Sequence, residues 1–385
     1  MEFLRLIAAV GVAAAIVYYV TATAVALRFA RRRNVPPGPL PPNPPAFAVL
    51  KPLHGLSPTL ADNLASYLKL DYPRAQYLFG VANREDRALE APLALKTRFP
   101  GANIEIVVGE EPGCSNRKVG KLIRMAECAS PATEAFVLSD ADIVVEPDHL
   151  SRVASELFER DDIGIVTCLY RGRPGDSLGS KLEALFVNTD FAPMVLLSEA
   201  IEPMRHALGA TVAVKRKALD AIGGFRPLGN LLADDFYLGR MVADKGFGVR
   251  LSSSLVTIAP EEGNFAQFWN HQLRWARTYR TVRPASLATL IIHGPFWALL
   301  LVLTSAFSTA SLGAMAALLL ARYAMAAIMI DKVLDLPASF GSLWIVPAKD
   351  LVMTGIYFAS LAGNTVQWGG RRFKLLAGGA MRELD

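Results

Sequence analysis

Four places in this chain bring chemically capable side chains together. The first is Asp140-Ala141-Asp142, which closes the apolar run AFVLS at residues 135–139. A strand that ends on two carboxylates spaced i and i+2 offers hard oxygen ligands, which suit Mg²⁺ or Mn²⁺ bound jointly with substrate phosphates. The motif is short, and an acidic loop is its plain alternative. The second is Glu85-Asp86, following YLFGVANR. An acid at a strand end can hydrogen-bond a nucleoside hydroxyl, and a solvated turn is the other reading. The third is Asp234-Asp235 in LLADDFYLGRMVADKGF, just after the glycine-rich GGFRPLGN. Carboxylates in a first helical turn offset the helix dipole. One within reach of a substrate hydroxyl would instead be a general base. The fourth is HQLRWARTYRTVRP, residues 271–284, where Arg274, Arg277, Arg280 and Arg283 recur at every third position. Each step of three falls about 60° short of a full turn, so the four cannot share one narrow helical face and must divide their work.

A phosphate-binding loop is excluded at GCSNRKVGKL, residues 113–122. Gly113 and Gly120 are too far apart, and Leu122 stands where Ser or Thr is required. Asn116, Arg117 and Lys118 remain as a polar patch at a helix start, suited to a nucleotide.

The elements that must position these groups lie between residues 46 and 280. AFAVLKPL, QYLFGVAN, NIEIVVG, EAFVLSDADIVV and DIGIVTCLY are short and rich in β-branched or aromatic residues. TLADNLASYLKL, ALEAPLALKTRF, KVGKLIRMAEC and PDHLSRVASELFER separate them with helical periodicity. Such alternation implies an α/β fold with a mostly parallel sheet covered on both faces. Ligands then bind beyond the carboxyl ends of the strands, where the acidic residues fall.

Of the 385 residues 52% are hydrophobic and 19% charged, and the apolar excess sits at the two ends. The net charge of +5 comes from basic residues beside apolar segments, which fits a membrane surface and not nucleic acid. Cys114, Cys128 and Cys168 form no CxxC pair, arguing against a metal cluster or disulfide framework and for a reduced compartment. Residues 1–27 read as a transmembrane helix. The apolar run is long for a cleaved signal, and Arg28, Arg31, Arg32 and Arg33 follow at once, placing the next segment in the cytoplasm. Residues 28–45 form a basic stalk with seven prolines in PPGPLPPNPP, extended because proline fixes φ and lacks a donor. Residues 46–283 are the expected catalytic domain and 284–385 the membrane region. There, residues 287–330 have the length for two spans, broken around Ser308–Ser311. A third apolar run at 343–362 carries Lys349 and Asp350. Charges at membrane depth are costly, so that run is tilted, re-entrant or turned toward protein. As i, i+1 neighbours the two pair poorly on a helix. The tail WGGRRFKLLAGGAMREL is basic and amphipathic and suits the inner membrane surface. The number of C-terminal spans stays open.

The order of the motifs is more specific than any one of them. Asp86, Asp140–Asp142, Asp234-Asp235 and HQLRW resemble the D, DxD, D, (Q/R)xxRW series of processive and lipid-directed inverting glycosyltransferases with a GT-A fold. VLKPLHG, NRKVGKL, GATVAVKRKAL, LADDFYLG and QWGGRRF look most like ceramide glucosyltransferases and the bacterial hopanoid-associated glycosyltransferases similar to them. The likeness covers nearly the whole chain. It departs at His271, where that series has Gln or Arg; an imidazole can donate to a phosphate or sugar oxygen, or serve structure alone.

The resemblance implies a multi-pass protein of the inner (cytoplasmic) membrane, moving a hexose from a UDP-sugar to a lipid hydroxyl. Asp86 and Lys118 would hold the nucleoside, and Asp140 the ribose or metal. Asp142 would ligate a divalent cation, Mg²⁺ or Mn²⁺, and Asp235 would act as base. Arg274 and Trp275 would lie beside the departing diphosphate or the acceptor, the guanidinium matching phosphate with paired donors. Arg280 and Arg283 would anchor headgroups, and Arg277 fits either role. One base and one displacement imply inversion. Glucose or N-acetylglucosamine is the expected sugar, and ceramide or a hopanoid polyol (bacteriohopanetetrol) the acceptor. Of the rivals, a processive polysaccharide synthase is disfavoured by the short C-terminal membrane region. A non-catalytic scaffold or transporter would have no ordered acidic series.

Overall fold

The structure, a computed structural model, describes residues 1–38 and 40–384; Pro39 of the proline run and Asp385 lie outside the described residues. The chain forms two compact units, one of Arg33–Arg171 and Glu202–Ala259, the other of Met1–Arg32, Gly172–Ile201 and Pro260–Asp385. Residues 172–201 and 260–283, expected within a continuous 46–283 domain, thus group with the apolar ends of the chain.

The first unit is built on an eight-stranded sheet: β1 (Phe47–Pro52), β2 (Ala75–Val81), β3 (Ile104–Val108), β4 (Ala135–Ser139), β5 (Ile143–Val145), β6 (Ile163–Gly172), β7 (Thr211–Lys215) and β8 (Gly248–Ile258). Its order is β3-β2-β1-β4-β7-β6-β8-β5. Strands β3, β2, β1 and β4 are parallel, as the strand–helix alternation predicts. Beyond β4 the pairing turns antiparallel, β4 to β7, β7 to β6 and β8 to β5. The expected single strand at 134–145 is two. The chain turns at Asp140–Asp142, and β5 leaves to pair with β8 at the far edge.

β1 is central and buried along its whole length. Alternate side chains go to opposite faces. Ala48 and Leu50 join Leu78, Phe136 and Leu138 in a core closed by Val119, Leu122, Ile123 and Met125 of helix Arg117–Cys128. That helix comes so close that a Cβ on Gly80 would meet Met125 Sδ at 2.7 Å. On the other face Phe47 stacks edgewise on Tyr72 and Phe158, and Lys51 lies over Tyr67.

In the second unit three helices are long and apolar enough to cross a membrane: Glu2–Arg33, Leu178–Ile201 and Thr309–Val333. The second was not anticipated, because its apolar stretch is interrupted by Asn188 and Asp190. Within 287–330, where two spans were expected, helix Thr309–Val333 has the length of a span. Helix Gly294–Thr304 has 11 residues, about 16 Å at 1.5 Å per residue, against a hydrocarbon core of about 30 Å. The break expected at 308–311 begins slightly earlier, where Ala306 and Phe307 take φ of 46° and 58°. The first helix packs through a small-residue stripe of Ala8, Gly11, Ala15, Ala22 and Ala26, which allows close approach; a Cβ on Gly11 would meet the Trp297 ring at 2.4 Å.

Lys349 and Asp350 turn toward protein, on helix Val346–Leu361. Arg322, 1% exposed, grips Asp350 with Nε at 2.8 Å and Nη2 at 2.9 Å, and reaches Asp190 at 3.1 Å. Lys349 pairs with Asp350 at 2.6 Å and with Asp190. Neighbours on one helix therefore share one network because Arg322 and Asp190 close it. Two cations and two anions balance, which is how buried charge is tolerated. The tail, expected as an amphipathic surface segment, is a three-stranded antiparallel sheet of β9 (Thr365–Trp368), β10 (Arg371–Leu375) and β11 (Met381–Leu384).

Candidate active site

The turn between β4 and β5 presents the Asp140–Asp142 pair. Its backbone is held by Asp140 N–H to Ala210 C=O at 3.3 Å, Ile143 N–H to Asp140 C=O at 3.3 Å and Ala259 N–H to Asp142 C=O at 2.8 Å. Asp140 is half-buried and Asp142 exposed. Asp140 Oδ1 lies 2.6 Å from Lys118 Nζ, which is also 3.7 Å from Asp234 Oδ2. Lys118 stands in the first turn of helix Arg117–Cys128, whose N-cap is Asn116. The Asn116 side chain accepts from Val119 N–H at 3.1 Å and donates to Asp234 Oδ1 at 3.2 Å and to Leu231 C=O at 2.8 Å. One capping residue thus fixes two helix starts, its own and that of helix Asp234–Asp244.

Charge within this cluster is strongly perturbed. Burial works to lower the Lys118 ammonium, but Asp140 and then Asp234 outweigh it and hold it above its ordinary range. Burial pushes Asp234 up, against the pull of Lys118. Asp235 is pushed up to about 7, by burial first and by the neighbouring Asp234 second. Asp234 is committed to Asn116 and Lys118, whereas the Asp235 carboxylate faces Gly209, where a Cβ would sit 2.8 Å from Oδ2.

Asp86 caps the turn Arg87–Leu89. Its carboxylate accepts from Ala88 N–H at 3.0 Å, from Gly55 N–H at 2.9 Å and from the His54 ring at 3.1 Å, and so ties the loop after β1 to the turn after β2. Burial works against its charged form, but these hydrogen bonds prevail and hold the carboxyl below its usual range.

His271, Arg274 and Trp275 stand in the other unit, on helix Phe265–Val282, which opens with a reciprocal cap between Asn264 and Gln267. His271 Nδ1 and Gln272 Nε2 both donate to Glu183 Oε1 at 2.8 Å. The indole of Trp275 meets Phe186 at 6.0 Å, Phe191 at 5.9 Å and Tyr279 at 6.1 Å between ring centres, all edge to face, with the His271 ring at 5.2 Å. Phe186 precedes, and Phe191 ends, a π-helical turn at Val187–Phe191. Arg274 is half-buried one residue away. Arg277 donates to the carbonyls of Thr365 and Ala362 at 2.5 and 2.8 Å, and Arg280 to those of Leu361 and Gly363 at 2.8 and 2.6 Å. These two arginines satisfy carbonyls at and just beyond the end of helix Val346–Leu361.

Of the expected site residues, Lys118, Asp140 and Asp235 gather around Asp234. Asp142 ends the same turn, and Asp86 closes the loops after β1 and β2. Asn116, expected in a polar patch facing a nucleotide, instead caps two helices, and the contacts of Lys51 and Glu183 were not anticipated. A lysine inside the apolar strand FAVLKP is a signal that was available; nothing local marks Glu183. Among the described residues no group of three or more His, Cys, Asp or Glu is placed to hold a metal. Two strand-end carboxylates, one of them exposed, fit a cation that keeps waters and takes its remaining ligands from substrate phosphates.

The family described as glycosyl transferase family 21 matches residues 7–381. Ceramide glucosyltransferase 3 of Caenorhabditis elegans is 22% identical over 343 residues, 87% of this chain and 74% of the relative. Ceramide glucosyltransferase 1 of the same organism is 22% identical over 349 residues, 89% and 74%. The mannosyltransferase PcManGT from Pyrobaculum calidifontis, solved with GDP-Man and Mn²⁺, shares the fold at a TM-score of 0.52 and 18% identity, covering 91% of this chain and 99% of that one.

Proposed function

This chain belongs to glycosyl transferase family 21, and from that premise we propose that it moves a hexose, glucose or N-acetylglucosamine, from a UDP-sugar to a hydroxyl of a ceramide-like membrane lipid, with inversion. The observation that carries the reading is the convergence of Lys118, Asp140, Asp234 and Asp235 at the carboxyl edge of the sheet. Asp86 and Lys118 frame the nucleoside end, and Asp140 faces the ribose or the cation. A divalent cation, Mg²⁺ or Mn²⁺, held by Asp142 with Asp140, would offset charge on the diphosphate. Arg274 offers a planar fork of donors to the departing UDP, and Trp275, braced by Phe186 and Phe191, gives the same helix a rigid apolar wall.

Asp235 takes the proton of the lipid hydroxyl as that oxygen attacks the anomeric carbon. A carboxylate with a proton affinity near neutrality is a stronger base than an ordinary aspartate. One carboxylate at the carbon suffices because UDP leaves without a donated proton, and a single displacement inverts the centre. The relatives named ceramide glucosyltransferases and the membrane-length helices support a lipid acceptor, with the catalytic unit on the side of Arg28–Arg33.

The test is UDP release by the purified full chain in lipid nanodiscs with Mn²⁺ and UDP-glucose or UDP-N-acetylglucosamine. Ceramide, bacteriohopanetetrol and no added lipid form the arms, with the product read by mass spectrometry. Ceramide-dependent release with a β-linked product is expected. Release only with the hopanoid polyol would move the acceptor assignment, and none with either lipid would overturn the reading.

A further inference from the structure

Lys51 is 0% exposed in the middle of the sheet. Lysine is almost never fully buried without partners, and methionine or leucine would fill the same space without the cost of burying a charge. The ammonium donates to Ser139 Oγ at 3.3 Å and to Ile143 C=O at 3.3 Å. Ser139 is the residue before Asp140, and Ile143 the residue after Asp142. Lys51 therefore grips the chain at both ends of the acidic turn. Its Nζ also lies 3.9 Å from the centre of the Tyr67 ring. Ser139 Oγ is a junction, 2.6 Å from Tyr67 Oη and 3.2 Å from Thr211 Oγ1. All four side chains are buried, so a rigid polar web underlies a turn whose own carboxylates face outward.

We propose that Lys51 is a positioning residue that holds the Asp140–Asp142 turn in the shape that receives the cation and the diphosphate. The inference deepens the nucleotide-sugar reading and rests on it. Sheet order supplies its logic. β4 runs beside β1, but β5 departs to the opposite edge to pair with β8, so no continuous ladder spans residues 140–142. Two hydrogen bonds from a neighbouring strand's side chain replace the missing ladder. The positive charge behind the turn also eases the approach of two carboxylates to each other.

The experiment measures Mn²⁺ binding by electron paramagnetic resonance in the presence of UDP, on the full chain, for native protein, Lys51→Met, Ser139→Ala and the double variant. Lys51→Met keeps the stem and removes both grips; it should weaken Mn²⁺ binding at least tenfold and broaden the spectrum of bound Mn²⁺. Ser139→Ala removes one grip and should weaken binding severalfold. The double variant should be little worse than Lys51→Met, because residues acting through one contact are not additive. A folded Lys51→Met that binds Mn²⁺ and UDP like the native chain overturns the proposal. If Lys51→Met does not fold, native-like binding by Ser139→Ala overturns it equally. Native protein that binds neither Mn²⁺ nor UDP would sink the nucleotide-sugar reading itself, a result distinct from both.

Discussion

Replacing Asp235 by Asn should slow transfer by about 10²–10⁴ and make the protein more stable at alkaline pH. The structure holds the Asp235 carboxyl at about 7 instead of its ordinary 3.8. A proton held that much more tightly in the folded state means the ionised form costs up to about 4 kcal/mol. The sign follows from proton uptake. Between pH 3.8 and 7 the folded chain binds more protons at this site than the unfolded chain, so stability falls as pH rises through that window and the full cost stands above it. Asp235 is only half-buried and Lys118 lies close, so solvent and counter-charge reduce the realised cost to about 1–2 kcal/mol. Asn has the same shape and no charge. In a unit of about 200 residues, that gain raises the melting temperature by roughly 2–8 °C at pH 8, and by nothing at pH 4. Catalysis moves the other way, since losing a general base costs about 10²–10⁴ in rate. Native transfer should fall tenfold per pH unit below about 7, and that limb should vanish in Asp235→Asn. Melting curves at pH 4 and 8, with pH–rate profiles for both proteins, measure all of this. Native-rate turnover by Asp235→Asn, or a melting temperature at pH 8 below that of the native chain, would refute the reasoning.

Gly209→Ala brings a methyl to 2.8 Å from Asp235 Oδ2, so it should depress kcat at least tenfold while Mn²⁺ and UDP binding stay native, read by steady-state kinetics and calorimetry. Asp142→Ala should lose the Mn²⁺ dependence of transfer together with activity while keeping its melting temperature, because the side chain is exposed; a Mn²⁺ titration decides. Arg322→Met leaves Asp350 and Asp190 with Lys349 alone, and breaking a buried network of this kind costs about 3–5 kcal/mol. A sharp loss of folded protein on detergent size-exclusion chromatography is expected, partly restored by adding Asp350→Asn.

Much of the site was legible as residue types in order. DAD after an apolar run, ADD at a helix start and the RW pair on a helix all lie on the elements expected for them, because such signals are local. The parallel half of the sheet was legible for the same reason, since β1 to β4 and their helices alternate within short stretches of chain. Spans were less so. Length and hydropathy singled out the first helix, but Leu178–Ile201 carries Asn188, satisfied by the Gly172 backbone, and Asp190, whose tolerance depends on Arg322 and Lys349, over 130 residues away.

By itself the sequence determined which side chains are available and on which kind of element each rides: carboxylates at strand and helix ends, an arginine–tryptophan helix, and apolar ends of membrane length. Tertiary structure alone decided what each does with its charge. It set Lys118 between Asp140 and Asp234, raised Asp235 toward neutrality, turned Arg277 and Arg280 to carbonyls at and just beyond the end of a distant helix, and put Lys51 beneath the acidic turn. The physical reason is that helical and strand periodicity depend on neighbours a few residues apart. Proton affinity, ion pairing and burial depend instead on groups that meet only when strands far apart in the chain, such as β1, β4 and β7, lie side by side.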